Sequence, residues 1–227
     1  MPVNFTELNE EIVACEKCPR LVAFRQQVAV EKRRAFRDCE YWGKPVPGFG
    51  DPQAQIMIVG LAPGAHGSNR TGRMFTGDDS GRFLYDSLYR HGLASQPFAL
   101  DRADGLTLHR LFITAVGRCV PPQNKPTLAE LANCRPYLET EIDLLPRLQV
   151  IVALGKIAYD EMKSILQERG LHFAKQPFAH LACVKAQERD FWLLASYHPS
   201  RQNTQTGRLT MSMFDQVWDQ ALQLVRD

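Results

Sequence analysis

The sequence lacks the features that mark membrane-spanning, exported and nucleotide-phosphate-binding proteins. No apolar run in its 227 residues approaches the ~20 residues that a membrane-spanning helix needs. Residues 1–7 lack the basic and then apolar order of a signal peptide, so we expect a cytoplasmic protein with no membrane partner. The glycine-rich segments match neither GxGxxG nor GxxxxGK followed by Ser or Thr, which disfavours a cradle for nucleotide phosphates.

A strong excess of charge is also missing. The formal net charge is +2 at pH 7, which permits a nucleic-acid partner without arguing for one. The chain shows no internal repeat and no low-complexity linker, and 227 residues can bury a sizeable core. We therefore expect a single domain over residues 1–227, with an N-terminal helical arm over about residues 1–50.

Four short apolar runs predict the strands of a buried parallel sheet. Segments with helical spacing separate them, and strands that alternate with helices form a parallel sheet covered on both faces. The sequence therefore predicts an α/β fold, a three-layer α/β/α sandwich around a central four-stranded parallel sheet. The predicted strands cover residues 56–59, 111–116, 150–155 and 191–196, and the predicted helices lie at 5–39, after Asp79, after Thr127, at 156–169 and at 213–225.

Four of the six cysteines form a pattern typical of a metal site. Two residues separate Cys15 from Cys18, so both thiolates can meet one metal centre without backbone strain. Cys119 and Cys134 flank a proline-interrupted loop much later in the chain. In a reducing compartment, clustered cysteines more often indicate metal than disulfides. Zinc and a [4Fe–4S] cluster both accept four thiolates, so the spacing leaves both open.

Three of the predicted strands end in residues typical of a ligand site. In open α/β sheets, ligands bind outside the carboxyl ends of the strands. The first strand leads into a glycine-rich segment over residues 60–79, the second into the Cys119 loop, and the fourth into His198-Pro199-Ser200. Gly60 opens the first of these loops, where a glycine lets the backbone approach a ligand closely.

These segments carry a resemblance to a known family. Gly-Leu-Ala-Pro-Gly from residue 60, Gly-Arg-Met-Phe-Thr-Gly-Asp from residue 72, the His-Pro-Ser segment and the four cysteines stand in the order of the uracil-DNA glycosylase superfamily. The chain is most similar to the iron–sulfur-containing microbial branch, called family 5 or type B, and the similarity runs from Cys15 to about Arg208. Other branches place Asp, Asn or Glu near the start of the first motif, whereas Leu61 and Ala62 stand here. That apolar start is typical of type B.

The resemblance implies roles for three residues. Phe75 would stack on an extruded uracil, His198 would donate a hydrogen bond to its O2, and Asp78 would orient the attacking water. Each has a structural alternative: a core phenylalanine, a structural histidine, and an N-cap for the helix after Asp79. Asp79 also competes with Asp78 for the water.

The resemblance also implies a set of surrounding residues. Asn124 is the candidate for reading the Watson–Crick edge of uracil, because an amide supplies both a donor and an acceptor. A turn residue is its alternative. Gly60 and His66 are expected to line the same pocket, and for His66 the alternative is a structural role. The DNA contacts are assigned to a polar, exposed loop after His198 that contains Arg201, Asn203 and Arg208.

The function that follows is DNA repair by base excision. The resemblance implies a monomeric, monofunctional uracil-DNA glycosylase that hydrolyses the N-glycosidic bond of uracil in double-stranded DNA and leaves an abasic site. The resemblance also implies excision of other deaminated bases, such as hypoxanthine, and association of the protein with the nucleoid through DNA. It further implies a [4Fe–4S] cluster on Cys15, Cys18, Cys119 and Cys134 rather than zinc. The alternatives are a non-catalytic, metal-containing nucleic-acid-binding module and a hydrolase of free nucleotides.

Overall fold

A six-stranded mixed sheet forms the centre of the protein, whose computed structural model describes residues 4–225. The strands follow the order β1-β3-β2-β4-β6-β5 across the sheet. Residues 1–3 of the predicted N-terminal arm, and the last two residues of the predicted domain, lie outside the described part. The strands are β1 (Phe49–Gly50), β2 (Ile56–Gly60), β3 (Leu111–Ala115), β4 (Val150–Leu154), β5 (Cys183–Lys185) and β6 (Trp192–Ser196).

The prediction of a four-stranded parallel sheet is wrong at both edges. The four predicted strands are β3, β2, β4 and β6, and they pair in parallel at the centre. Strands β1 and β5 add an antiparallel partner at each side. They escaped prediction because they contain two and three residues, too few to show a periodicity, and β1 lies in a segment rich in Gly and Pro.

Helices cover both faces of this sheet. Ile56 and Ile58 point towards α4 and α8, whereas Met57 and Val59 point towards α5 and α6. Continuous apolar runs are therefore required in the central strands, because both sides of each strand are buried. The helices of the described chain are α1 (Phe5–Val13), α2 (Pro19–Glu31), α3 (Ser68–Thr71), α4 (Asp79–Arg90), α5 (Leu128–Asp143), α6 (Lys156–Glu168), α7 (Arg201–Gln205) and α8 (Met211–Leu224).

The predicted helical stretch over residues 5–39, in which Pro19 was expected to interrupt the pattern, is two helices and a short 3₁₀ turn. Cys18 caps α2, and Pro19 occupies its first position, where the missing N–H of proline costs no helical hydrogen bond. Leu8 and Ile12 of α1 pack against Tyr137 of α5. This contact brings the Cys15–Cys18 segment beside the helix that carries Cys134.

The parallel register aligns the carboxyl ends of the central strands at one edge. Gly60 at the end of β2 pairs with Ala115 at the end of β3, and Leu154 of β4 pairs with Ser196 of β6. The loops that follow these strands therefore emerge side by side. Over residues 4–225, no helix combines the length and the apolar character needed to cross a membrane.

Candidate active site

A cleft of about 610 Å³ opens where the central strands end. Its volume is within the range of small-molecule sites, ~300–1,000 Å³. The structure brings together there all the residues predicted to hold or process a base, which come from four separate stretches of the chain. They are Gly60, His66, Phe75, Asp78, Asn124 and His198.

Phe75 forms one wall of this cleft and is held from several sides. Its backbone is in the left-handed region, with φ 52°, and its side chain is 8% exposed. Such a conformation costs of order 1–3 kcal/mol and persists only where the surroundings enforce it. A Cβ at Gly60 would lie 2.8 Å from Phe75 Cζ, and one at Gly81 would lie 1.7 Å from the Phe75 carbonyl oxygen. Two glycines therefore make room for this ring and its backbone.

Asp78 has one of the two roles that the sequence left open, that of a helix N-cap, and it also lines the cleft. Its Oδ1 accepts a hydrogen bond from Gly81 N at 2.9 Å, so Asp78 is the N-cap of α4. Its Oδ2 lies over the glycine loop, because a Cβ at Gly67 would be 2.1 Å and a Cβ at Gly64 3.0 Å from that oxygen. One carboxylate oxygen thus fixes the side chain and leaves the other beside the cleft. Asp79 is the exposed first residue of α4 and does not line this cleft.

The surroundings of Asp78 make its negative charge costly. Burial raises the pKa of the Asp78 carboxyl, and the nearby charge of Asp79 adds to that effect. The Gly81 amide and the Arg70 guanidinium oppose it. The carboxylate is therefore stabilised chiefly by its own helix cap and by one arginine.

His198 lies beyond the end of β6 and faces Phe75. The two ring centroids are 5.8 Å apart with an angle of 29° between the planes. Burial lowers the pKa of His198 to about 4, so the ring is neutral at pH 7. Its backbone oxygen accepts from Asn203 Nδ2 at 2.9 Å, while the ring nitrogens have no protein partner among the described residues. A neutral imidazole N–H is thus available to a ligand.

Asn124 reaches the cleft from a strained turn. Gln123 and Asn124 both have positive φ, at 54° and 57°. Asn tolerates this region better than most residues, and two such residues in succession are uncommon.

His66 lies on the glycine loop, and a hydrogen bond of 3.1 Å joins its Nδ1 to the Tyr41 hydroxyl. Burial lowers the pKa of His66, and the charges of Arg33 and Arg70 lower it further.

The segment after His198 is a short helix, so the prediction of a polar, exposed loop is wrong in part. Ser200 caps α7 by accepting from Asn203 N. Asn203 is half-buried and turns inward to the His198 carbonyl, which makes it a support for His198. Arg201 is exposed and lines the cleft, and the Arg208 guanidinium lies 4.8 Å from the Tyr197 ring centroid.

The four predicted metal ligands converge beside α2 and α5. Cys119 and Cys134 are buried, Cys15 and Cys18 are partly exposed, and no described cysteine is in a disulfide. Burial raises the pKa of the Cys119 thiol to about 11, and the charges of Cys134 and Cys15 add to the shift. Four thiolates placed so close repel one another unless a cationic centre lies among them.

Neighbouring donors also point at these sulfurs. Arg25 is 3% exposed, and its Nη1 donates to Cys119 Sγ at 3.1 Å and to the Cys15 carbonyl at 3.2 Å. Asn133 Nδ2 donates to Cys18 Sγ at 3.3 Å. Hydrogen bonds to ligand sulfurs are typical of iron–sulfur sites. Arg25 could not be predicted from the sequence, because a single arginine in a helix has no distinctive spacing.

Four cysteine thiolates are a ligand set that both zinc and a [4Fe–4S] cluster accept. Among residues 4–225, no set of three or more His, Cys, Asp or Glu side chains is placed to hold a metal ion. A zinc ion with Zn–S bonds of about 2.3 Å would draw its four sulfurs to about 3.8 Å from one another. A [4Fe–4S] cluster binds each thiolate through a different iron and leaves the sulfurs further apart. The four thiolates and the hydrogen bonds to Cys119 and Cys18 are compatible with such a cluster.

Comparisons with known proteins identify the family to which the chain is similar. The family model described as the uracil DNA glycosylase superfamily matches residues 47–222. A type-5 uracil-DNA glycosylase of Thermus thermophilus is 53% identical over 215 residues, which cover 95% of each chain. One of Mycobacterium leprae is 50% identical over 225 residues, covering 97% of this chain and 96% of the relative. A type-4 uracil-DNA glycosylase of Sulfurisphaera tokodaii is 29% identical over 200 residues, covering 87% and 74%.

Proposed function

Because the chain belongs to the uracil-DNA glycosylase superfamily, we propose that it removes uracil from DNA by hydrolysing the N-glycosidic bond. The protein is then a monofunctional hydrolase of DNA repair that leaves an abasic site. One observation carries the assignment of its active site. Phe75 and Asp78 from the loop before α4, and His198 from the segment after β6, line one cleft at the carboxyl edge of the sheet.

Substrate binding begins with extrusion of the base. An enzyme cannot reach the glycosidic bond of a stacked base, so uracil must leave the duplex and enter the cleft. Phe75 would then lie against the uracil ring, and a base stacked on an aromatic ring gains ~1–3 kcal/mol. Asn124 would face the Watson–Crick edge with its amide, and His66 and Gly60 complete the wall.

His198 would act on the departing base. Negative charge grows on uracil O2 as the bond breaks, and a donor that strengthens only then lowers the barrier. Its pKa of about 4 keeps the ring neutral at pH 7, and a neutral imidazole still carries one N–H that would donate to O2. Loss of one preorganised donor of this kind costs ~10²–10³ in rate.

Asp78 would act on the sugar side. Its Oδ1 is engaged by the Gly81 amide, so Oδ2 would position the attacking water. Its negative charge would also favour the cationic character that the sugar acquires. The raised pKa of Asp78, caused by burial, makes the carboxylate a better proton acceptor than an exposed one.

The four cysteines would hold a [4Fe–4S] cluster, which supplies a structural clamp and no redox step in a hydrolysis. Cys15 and Cys18 would tie the N-terminal arm to Cys119 and Cys134, so that residues 1–227 act as one domain. We further propose that the protein works as a monomer on double-stranded DNA in the cytoplasm. Arg201 and Arg208 would contact the phosphates beside the extruded base.

A cleavage assay tests this proposal. A labelled duplex with a single uracil is incubated with the protein and treated with alkali, and a duplex with thymine at that position is the control. We expect a break at the uracil and release of free uracil. A non-catalytic DNA-binding module predicts binding without a break, and a nucleotide hydrolase predicts release of uracil from free deoxyuridine nucleotides instead. Either result would overturn the proposal.

A further inference from the structure

A second cleft, of about 490 Å³, lies against the first and has no role in the chemistry above. His66 and Asp78 line both clefts and so form a shared wall. We call it the arginine cleft, because its basic side chains are Arg33, Arg70 and Arg82. Its remaining walls include aromatic and apolar side chains.

The three arginines differ in how they are held. Arg70 is fixed, since its Nε donates to the His66 carbonyl at 2.8 Å and its Nη2 to the Gly77 carbonyl at 3.0 Å. Arg33 and Arg82 are exposed, and neither guanidinium has a hydrogen bond or ion pair with another described residue. Two cations are therefore free at the rim to bind an anion.

Apolar groups stand beside these cations. Phe98 is 46% exposed and Leu100 is 60% exposed, so both present apolar surface next to the cations. Phe36 also lines the cleft and is covered by the Arg70 guanidinium, 4.1 Å from the ring centroid. A ligand that suits this surface carries negative charge and has a flat or apolar part.

The carboxylates of the cleft do not cancel its charge. Asp78 and Asp79 line it together with three guanidinium groups, which leaves a net charge of +1. The Asp78 carboxylate also points partly away from the arginine cleft, because one of its oxygens is directed at Gly81 and the other at the glycine loop. The unpaired cations therefore dominate at the open side.

We propose that the arginine cleft binds the nucleotide next to the extruded uridine in the same DNA strand, with Arg33 and Arg82 on its phosphates and Phe98 against its base or sugar. The proposal rests on the function proposed above. A strand whose uracil occupies the main cleft continues on both sides of the extruded nucleotide, and the arginine cleft adjoins the main cleft at His66 and Asp78. The adjoining surface offers cations for phosphate and an exposed ring for a nucleoside, the pairing typical of single-stranded DNA contacts.

Salt-dependent binding tests the phosphate contacts. Affinity for a duplex that contains 2′-fluoro-2′-deoxyuridine, which resists hydrolysis, is measured over a range of KCl concentrations. We expect Arg33→Gln and Arg82→Gln each to make the plot of log affinity against log salt shallower by about one. Arg147→Gln is the matched control, because Arg147 is exposed and lies before β4, at the opposite edge of the sheet. Slopes equal to that of Arg147→Gln would overturn the proposal.

Neutral phosphate analogues locate the contact. In a series of duplexes, one phosphate at a time within three nucleotides of the 2′-fluoro-2′-deoxyuridine is replaced by a methylphosphonate. One linkage beside the uridine should weaken wild-type binding and have little further effect on Arg33→Gln or Arg82→Gln. Phe98→Ala should weaken binding about fivefold or more. Equal losses for wild type and variants at every linkage would contradict the assignment.

The two proposals fail separately. If the wild type does not cleave a uracil duplex, the proposed function is wrong. If it cleaves while both arginine variants retain the wild-type salt slope, only the role of the arginine cleft is wrong. Circular dichroism and thermal unfolding should be unchanged in Arg33→Gln and Arg82→Gln, because both side chains are exposed.

Discussion

Replacing Gly67 by alanine would test the role of Asp78 without changing the carboxylate itself. An added Cβ would lie 2.1 Å from Asp78 Oδ2, 2.7 Å from Cγ and 3.0 Å from Cβ. No arrangement of the present backbone accommodates a contact of 2.1 Å, since ordinary van der Waals contact begins at 3.4 Å. The Asp78 side chain must therefore move.

The required displacement sets the size of the effect. Separation of the two atoms must grow from 2.1 Å to at least 3.4 Å, a shift of more than one ångström. A misplacement of about 1 Å in a reacting group costs ~10²-fold in rate. The same shift strains the cap bond from Gly81 N to Asp78 Oδ1, and loss of an N-cap costs about 1 kcal/mol of stability.

Single-turnover excision of uracil, measured with enzyme in excess, gives the rate, and thermal unfolding gives the stability. Gly64→Ala is the graded control, because its Cβ would be 3.0 Å from Asp78 Oδ2 and needs a shift of only a few tenths of an ångström. We expect Gly67→Ala to lose about 100-fold and Gly64→Ala much less. A folded Gly67→Ala variant that excises uracil at the wild-type rate would refute the role of Asp78.

Substitutions at His198, Phe75, Cys119 and Arg25 test the rest of the site. His198→Ala should slow excision ~10²–10³-fold while duplex binding persists. The rate of the wild-type enzyme should not rise as the pH falls below 6.5, because the donor role does not require a protonated histidine. The pKa of His198 is about 4 in the folded protein and 6.5 in the unfolded chain, so between these pH values the unfolded chain binds more protons. The free energy of unfolding should therefore decrease as the pH is lowered from 6.5 to 4, and it should decrease less in His198→Ala. Phe75→Ala should weaken binding of the uracil analogue by ~1–3 kcal/mol, and equal affinity would remove its stacking role. Cys119→Ser should lose bound iron and sulfide and have a lower unfolding temperature, and full iron content in this variant would contradict the cysteine assignment. Arg25→Leu should also have a lower unfolding temperature but retain part of the iron.

The sequence predicted the centre of the fold better than its edges. Strands β2, β3, β4 and β6 were predictable because a strand buried on both faces must be apolar throughout. Strand β1 was not, because two residues paired through backbone groups leave no trace in side-chain chemistry. Thr127 was predicted as a helix cap, and the capping box with Glu130 confirms it.

The candidate site shows the same division. Motif residues such as Phe75 and His198 could be named from the sequence, and the topology then placed them in one cleft. Contacts between distant segments could not be predicted, because they depend on packing distances. Gly67 under Asp78 and Arg25 beside Cys119 are examples, and each supports a motif residue without belonging to a motif.

A structure of the protein bound to a duplex with 2′-fluoro-2′-deoxyuridine tests the central claim most directly. We predict that the uracil is rotated out of the helix into the main cleft and lies against the Phe75 ring. Its O2 should be within about 2.7–3.2 Å of a His198 ring nitrogen, with a water on Asp78 facing the sugar. A uracil that stays stacked in the duplex, or binds away from Phe75 and His198, would contradict the account.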